Sequence, residues 1–274
     1  MEKIHHLPEN WLHLHHVERL VQCSDGLFIW AATVLKLLSH ESNPNAVLQA
    51  VLSPGSVEGL DTLYATASKS SCNFQRAESW ETFKSIMTAI LFSCESLNDY
   101  VIDQLPGFSQ ETSCRFLLTR LHCVLDYTPG SPIHVFHASF REYLIDASRS
   151  GGGEPWSLAT LNPEYCMLDR CFRVMSNQLR LNMRGFTTSD QTDAEYFQDS
   201  DPRDLVSLEL RYACTYWSSH LLAAKTEDAD ILTKLREFSY DQFLFWLEVV
   251  SLIGIIDEAL TACEIARDHT QDCC

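Results

Sequence analysis

The stretch from Trp80 to Asp146 constrains this chain more than any other, because its local signals come in an order that few folds accept. Trp80, Phe83, Met87, Ile90, Leu91 and Cys94 recur at helical spacing and give one apolar face. A second short helix is expected from Val101 to Leu105, stopped by Pro106-Gly107. A third is expected from about Gln110 to Leu125, with Cys114, Leu117, Leu118, Leu121 and Val124 on one stripe. Thr128-Pro129-Gly130-Ser131 is turn chemistry between Val124-Leu125-Asp126-Tyr127 and the alternating Ile133-His134-Val135-Phe136, which predicts a β-hairpin. Ser139-x-x-Glu142 reads as a capping box that opens a further helix with Phe140, Tyr143 and Leu144 facing inward. Three helices, a hairpin and a helix are the order of a winged helix with its wing.

The flanks are helical as well. Two helical patterns lie between Val17 and Ser39, broken at Ser24-Asp25-Gly26, and Leu27-Phe28-Ile29-Trp30-Ala31-Ala32 is apolar nearly all round. Short helices follow from Asn43-Pro44 to Leu52 and from Leu60 to Tyr64, and the polar residues 68–79 read as a joint. Residues 148–153, with three consecutive glycines, read as a linker. Beyond it come a helix from Pro163 to Leu181, an acidic loop from Gly185 to Arg203, and helices at Leu205–Ala224 and Ile231–Phe238. The apolar helix beginning Phe243-Leu244-Phe245-Trp246 is followed by a last helix ending near Arg267. The expected fold class is therefore mainly α. It comprises a helical subdomain over 1–68, a winged-helix domain with one small β-hairpin over 80–147, and a C-terminal helical domain over 158–268.

Composition narrows the function classes. With 37 acidic and 20 basic residues the formal net charge is −17, which repels phosphate backbones and acidic membranes, so neither nucleic acid nor a membrane is expected as a partner. The longest apolar stretch, Phe243 to Ile256, is interrupted by Glu248 and falls short of the ~20 apolar residues a span requires. Eleven cysteines without a C-x-x-C pair, and an N-terminus without a signal sequence, predict reduced thiols and a cytoplasmic location.

Motifs that carry chemistry are few. His5, His6, His13, His15 and His16 offer no H-E-x-x-H and no carboxylate or Cys at ligand spacing, so no metal is expected. Ile253-Gly254-Ile255-Ile256-Asp257-Glu258 mimics a Walker B strand, but no P-loop precedes it and helical patterns surround it. None of the ten glycines is followed by lysine, so G-x-x-x-x-G-K-[ST] does not occur. The third helix of the winged-helix stretch carries Arg115 and Arg120 beside Glu111, and the wing has no basic residue, which favours protein packing over DNA. Neither Ser-His-Asp nor Cys-His catalysis has a local signature, and the chain is expected not to be an enzyme. Phe243, Phe245, Trp246 and Val249 mark an apolar helix that is either core or a partner-facing surface.

His137 precedes the last helix of the winged-helix stretch, where unpaired N–H groups and the helix dipole attract phosphate. An imidazole N–H there can donate to a terminal phosphate; equally, His137 can be a satisfied residue between wing and helix.

Gly26-Leu27-Phe28-Ile29-Trp30-Ala31-Ala32, Val135-Phe136-His137-Ala138-Ser139-Phe140-Arg141-Glu142-Tyr143-Leu144, Tyr212-Ala213-Cys214-Thr215-Tyr216-Trp217 and Phe243-Leu244-Phe245-Trp246-Leu247-Glu248 resemble, in that order, fungal NACHT-domain proteins. The resemblance spans Pro8 to Ala266. In that family a P-loop ATPase core precedes a helical subdomain, a winged helix and a further helical region that often leads into repeats. The proteins act as nucleotide-controlled switches in non-self recognition and programmed cell death.

By that resemblance the chain corresponds to the part after the ATPase core. It implies a non-catalytic regulatory segment in which His137 reads ADP held by a P-loop core in cis or in trans. ADP or ATP then concerns this chain only when it is joined to such a core, and a repeat domain is a further expected partner. In related plant proteins a Met-His-Asp string stands at this position; here Ala138 takes the place of the Asp. The alternative is a stand-alone helical interaction module, or a truncated paralogue, that docks onto an intact NACHT protein.

Overall fold

The computed structural model describes residues 12–24, 26–40, 43–52, 59–72, 77–106, 113–185, 201–224 and 229–272. The chain is mainly helical, and among the described residues there is one small antiparallel sheet, as the sequence predicts. It divides into two compact units. The first takes Met1–Leu91 and Gln110–Leu161, and the second takes Phe92–Ser109 and Asn162–Cys274.

The first unit begins with α1 (Leu14–Ser24), α2 (Phe28–His40), α3 (Pro44–Leu52) and α4 (Leu60–Ser71). Trp30, Val34 and Leu38 of α2 lie on one helical stripe and close a core with Leu48, Val51 and Leu52 of α3 and Leu63 of α4. α5 (Ala77–Phe92) follows, buried along Trp80, Phe83, Ile86 and Met87. α6 (Asp99–Gln104) belongs to the second unit, and Asn98 caps it by accepting from the Val101 N–H at 2.9 Å. α7 (Arg115–Arg120) returns to the first unit, then β1 (Leu125–Asp126) pairs antiparallel with β2 (His134–Val135), Leu125 opposite Val135 and Asp126 opposite His134. The Ser131 N–H donates to the Thr128 carbonyl at 3.0 Å and closes the Pro-Gly turn. α8 (Ala138–Ile145) and the single turn α9 (Ala147–Ser150) complete the unit.

Four expectations need correction. Helix α4 continues to Ser71 instead of ending near Tyr64, because Ala67, Ser68 and Ser71, at 0, 0 and 1% exposure, are small residues packed into the core rather than a polar joint. Residues 73–76 of that expected joint lie outside the described residues. α7 is one and a half turns long, not the expected helix to Leu125; Leu121 caps it and residues 121–124 are turns that lead into β1. The first part of that expectation, 110–112, lies outside the described residues. Ser139 is not the cap of α8, since His137 occupies that position. Finally, residues 148–153 are no linker but part of a packed segment that continues to Leu158. The Leu158 N–H donates to the Leu144 carbonyl at 2.8 Å, Ser150 and Ser157 share a buried hydrogen bond of 2.7 Å, and the buried Trp156 indole N–H donates to the Tyr143 hydroxyl at 2.8 Å. The glycines there serve geometry: Gly151 has φ +68°, and a Cβ on Gly152 would stand 3.0 Å from the Ala147 Cβ.

The second unit centres on α10 (Pro163–Gln178) packed along α11 (Leu208–Ala224), after which come α12 (Ala229–Glu237), a π turn (Phe238–Gln242), α13 (Phe243–Ile253) and α14 (Ile256–Asp272). Asn162 caps α10 through the Tyr165 N–H at 3.2 Å, with Pro163 in the first turn. Phe172, Trp217, Phe238 and Trp246 form the aromatic core, with ring centroids 5.1–5.9 Å apart in tilted or edge-on contact. The stretch that mimics a Walker B strand is the end of α13, a left-handed Gly254 and the start of α14. The acidic stretch 186–200 lies outside the described residues. Among the described residues no helix is long and apolar enough to cross a membrane.

Candidate functional site

The first unit places His137 at the N-cap of α8 in extended backbone, with its side chain exposed. Its Nδ1 accepts from the Ser139 backbone N–H at 3.2 Å, so that nitrogen carries no proton and the neutral ring holds its proton on Nε2. Ser139 Oγ lies 2.7 Å from the same Nδ1 and 2.7 Å from the Tyr64 hydroxyl. One donor order is consistent with these contacts: Tyr64 O–H donates to Ser139 Oγ, and the Ser139 O–H shares the single Nδ1 lone pair with the longer backbone N–H contact. The imidazole is thus oriented from α4 through α8, and its Nε2–H is left as an exposed donor at the positive end of a helix.

Tyr64 holds its end of this relay firmly. It is 1% exposed, its ring lies against Phe140 and Tyr143 at 5.1 and 5.6 Å, and burial raises its hydroxyl pKa. Burial likewise pushes Tyr143 up to about 12, so both phenols stay protonated donors. Cations gather nearby. Lys36 of α2 sets its ammonium 2.9 Å from the centroid of the Phe136 ring, and burial lowers its pKa. Arg149 grips both carboxylate oxygens of Asp61, at 2.7 and 3.1 Å, and reaches Glu142 at 3.5 Å. These cations are partnered, as are the Ser139 N–H, given to His137 Nδ1, and the Phe140 N–H, given to the His137 carbonyl at 3.1 Å.

The second unit holds a cluster that no sequence motif announces. His220 is fully buried; its Nδ1 lies 2.7 Å from Glu164 Oε2 and its Nε2 lies 2.8 Å from the Tyr212 hydroxyl. Cys94 sends its backbone N–H to the Tyr212 hydroxyl at 3.2 Å, and its part-buried thiol sits 3.7 Å from the same Nε2. Cys, His and Glu in line are the outline of an activated thiol. The electrostatics oppose that outcome: burial, Glu164 and Glu95 raise the Cys94 pKa, and burial lowers that of His220, so thiol and imidazole both stay neutral. Tyr212 already fills the imidazole lone pair that a thiol would need. The cluster is a satisfied hydrogen-bond chain.

Phe243, Phe245, Trp246 and Val249 do not form one outward face. Trp246 and Val249 are 1% and 0% exposed, and the Trp246 indole N–H donates to the Cys214 carbonyl at 3.0 Å, so these two face the core of their own unit. Phe243 and Phe245 are half-buried, and the exposed apolar residues of α13 are Leu244 and Leu247. The helical period sets this outcome, since Trp246, Val249 and Val250 recur at i, i+3 and i+4 on the buried side. His13 stacks on His15 and His16 lies tilted against both, while His5 and His6 lie outside the described residues. Among the described residues no cluster of His, Cys, Asp or Glu has the geometry to hold a metal ion.

With these sites placed, the comparisons with known proteins are sparse. No protein-family model matches the chain, and no solved structure matches it. The chain is similar to the vegetative incompatibility protein HET-E-1 of Podospora anserina, with 26% identity over an alignment of 274 residues that covers 87% of this chain. It spans 19% of the length of that relative. The similarity supports a fungal NACHT-related origin.

Reasoning from sequence singled out His137 but missed what orients it. Tyr64 lies 75 residues away, and nothing in the string Leu63-Tyr64-Ala65 marks a hydroxyl that will meet Ser139. Cys94 and His220, 126 residues apart, are equally silent. The one local hint is the spacing Tyr212 to His220, eight residues, which puts both on one helical face.

Proposed function

We propose that the chain is a non-catalytic regulatory segment of a NACHT-type nucleotide-controlled signalling switch. It would act on ADP or ATP held by a P-loop core in cis or in trans. The observation that carries this reading is the His137 cap: Nδ1 is committed to Ser139, and Nε2–H is exposed at the N-terminus of α8, where a phosphate oxygen is favoured. Residues 80–147 serve in this reading as the winged helix that closes over ADP and swings away on exchange to ATP, a population shift driven by different nucleotide contacts in the two states. Similarity to a vegetative incompatibility protein supports the signalling context.

The test uses a protein that carries this chain together with a P-loop core. His137→Ala is expected to speed ADP release about tenfold, the worth of one hydrogen bond to a charged group. His137→Gln keeps an N–H donor and should retain part of the effect. An ADP off-rate unchanged by His137→Ala removes the sensor role.

A second reading rests on the outer face of the second unit, where Leu244 is 74% exposed and Leu247, Ile256 and Leu260 are exposed as well. Here the chain is a helical interaction module that docks onto an intact NACHT protein. Co-purification that is lost on Leu244→Glu supports it; a monodisperse, partnerless monomer argues against it.

A further inference from the structure

In the first unit, His122 stands just past the end of α7, half-buried, and both of its ring nitrogens meet backbone carbonyls. Nδ1 lies 3.0 Å from the Thr119 carbonyl oxygen, in the last turn of α7. Nε2 lies 2.9 Å from the Lys36 carbonyl oxygen, near the C-terminal end of α2 and 86 residues away in the chain. A carbonyl only accepts. A neutral imidazole has one N–H and one lone pair, so it can donate to one of these oxygens and must turn its lone pair on the other. An imidazolium donates to both. Carbonyls at helix C-terminal ends carry partial negative charge, and a histidine cation is a favourable partner for them.

The surrounding charges leave room for that cation. Lys36 on α2, Arg120 on α7 and Lys69 on α4 each lie over an aromatic ring of their own, Phe136, Phe116 and Trp156. Arg115 is exposed, a full turn before Thr119. Asp126 on β1 favours positive charge here and pulls the Lys36 pKa upward against burial; across the hairpin it pairs with His134. Asp61 on α4 is held by Arg149, and Tyr64 and Cys123 contribute a phenol and a thiol. Partial burial costs the ring only part of its hydration, whereas the second carbonyl contact is lost outright without the second proton. The position also matters mechanically. The Phe136 ring rests on the Lys36 ammonium, and the Phe136 N–H donates at 3.0 Å to the carbonyl of Val124, two residues beyond His122.

We propose that His122 is a proton-operated clasp: as an imidazolium it fastens α2 to the turn between α7 and β1 through both nitrogens, and on losing a proton it gives up one of the two bonds. The hairpin and Phe136 are then held less firmly against α2. The native ring binds its proton more tightly than the unfolded chain, where histidine titrates near ~6.5. The clasp therefore contributes fully below ~6.5, and its contribution is lost as pH rises through the higher midpoint of the folded state. Nothing in it depends on the nucleotide reading of the same unit.

The experiment follows the two ring nitrogens of His122 in the whole chain by nitrogen-15 NMR, assigned by through-bond correlation to the residue's own backbone, from about pH 5 to about pH 9. At about pH 7, where an unfolded histidine is mostly neutral, both nitrogens are expected to carry protons in most molecules. Proton affinity should exceed that of the unfolded chain about tenfold, the worth of one hydrogen bond to a charged group. Urea denaturation of the wild type and of His122→Gln supplies the second readout. The stability advantage of the wild type should shrink as pH rises from about 6.5 to about 9, a window in which His220, its pKa lowered by burial, stays neutral. If the variant does not fold, the resonances of the wild type decide alone. A ring with predominantly one N–H at about pH 7, or a wild-type advantage that does not change with pH, overturns the proposal.

Discussion

His220 shows how a single residue can tie stability to pH without taking part in any reaction. The whole ring is removed from water, and burial lowers its pKa below the usual 6.5, although the hydrogen bond and charge of Glu164 pull the other way. Desolvation wins because the imidazolium would lose its hydration entirely, while Glu164 alone offers a countercharge and Tyr212 and Cys94, the other groups facing the ring, are neutral. The sign follows. Above 6.5 both folded and unfolded forms are neutral at this position, and stability is full. As pH falls through 6.5 the unfolded chain takes up a proton that the native ring refuses, so stability is lost from there down to the folded pKa. A melting temperature that falls between pH 7 and pH 5.5, with a slope that flattens in His220→Gln, is the expected result; an equal slope in that variant would assign the loss to other groups. The same residue marks a limit of sequence reading. His137 stood out because its meaning is local, a ring in front of a helix, whereas His220 becomes meaningful only when α10 and α11 bring Glu164 and Tyr212 to its two nitrogens.

At the scale of elements, what the sequence disclosed depended on whether the deciding force was local. The β-hairpin was legible because Pro129-Gly130 and alternating flanks fix turn and register together. The extent of α4 and α7 was not: core packing of small residues lengthened the first, and the approach to β1 cut short the second. The three glycines at 151–153 suggested a flexible joint, yet the close approach of Gly152 to Ala147 and the positive φ of Gly151 are what the packed turn demands. Gly254 makes the point testable. It ends α13 at φ +80°, with its N–H and that of Ile255 both donating to the Val250 carbonyl at 3.0 and 3.1 Å. A Cβ there meets nothing within 4 Å, so a substitution meets only backbone strain. Gly254→Ala should cost about 1 kcal/mol and Gly254→Asn less, since Asn tolerates the left-handed region. Urea denaturation measures both, and a neutral Gly254→Ala would show that the α13–α14 corner is held by something other than this cap.

For the whole molecule, the mainly helical class was legible from periodicity alone, while the division into two units, with residues 92–109 grouped with the C-terminal helices, depends on contacts that no window of sequence contains. Charge acts at this scale too. With 37 acidic side chains against 20 basic ones, at least 17 carboxylates have no cation to themselves. Among the described residues several ion pairs are exposed: Arg203–Asp201, Arg267–Asp268 and Arg173–Asp169 each leave the arginine side chain about 60% accessible. Such pairs are worth roughly 0–1 kcal/mol each. Salt therefore has two opposed effects. It weakens those few pairs, and it screens a repulsion that grows with the square of the net charge. The second should win, because the screening length drops from about 30 Å at 0.01 M, long enough to couple charges across a whole unit, to roughly 6 Å at 0.3 M. The melting temperature at pH 7.5 should accordingly rise by about 3 °C or more over that range of sodium chloride, where each kcal/mol moves it by roughly 2–4 °C for a chain near this size. Most of the rise should come before 0.3 M. A surface-exclusion effect of the salt would instead keep growing linearly into the molar range, and sodium sulfate would exceed chloride at equal ionic strength. A melting temperature that is flat or falls between 0.01 and 0.3 M would mean that the excess carboxylates lie far enough apart to act independently, and that ion pairs such as Arg149 with Asp61 contribute more than their exposure suggests.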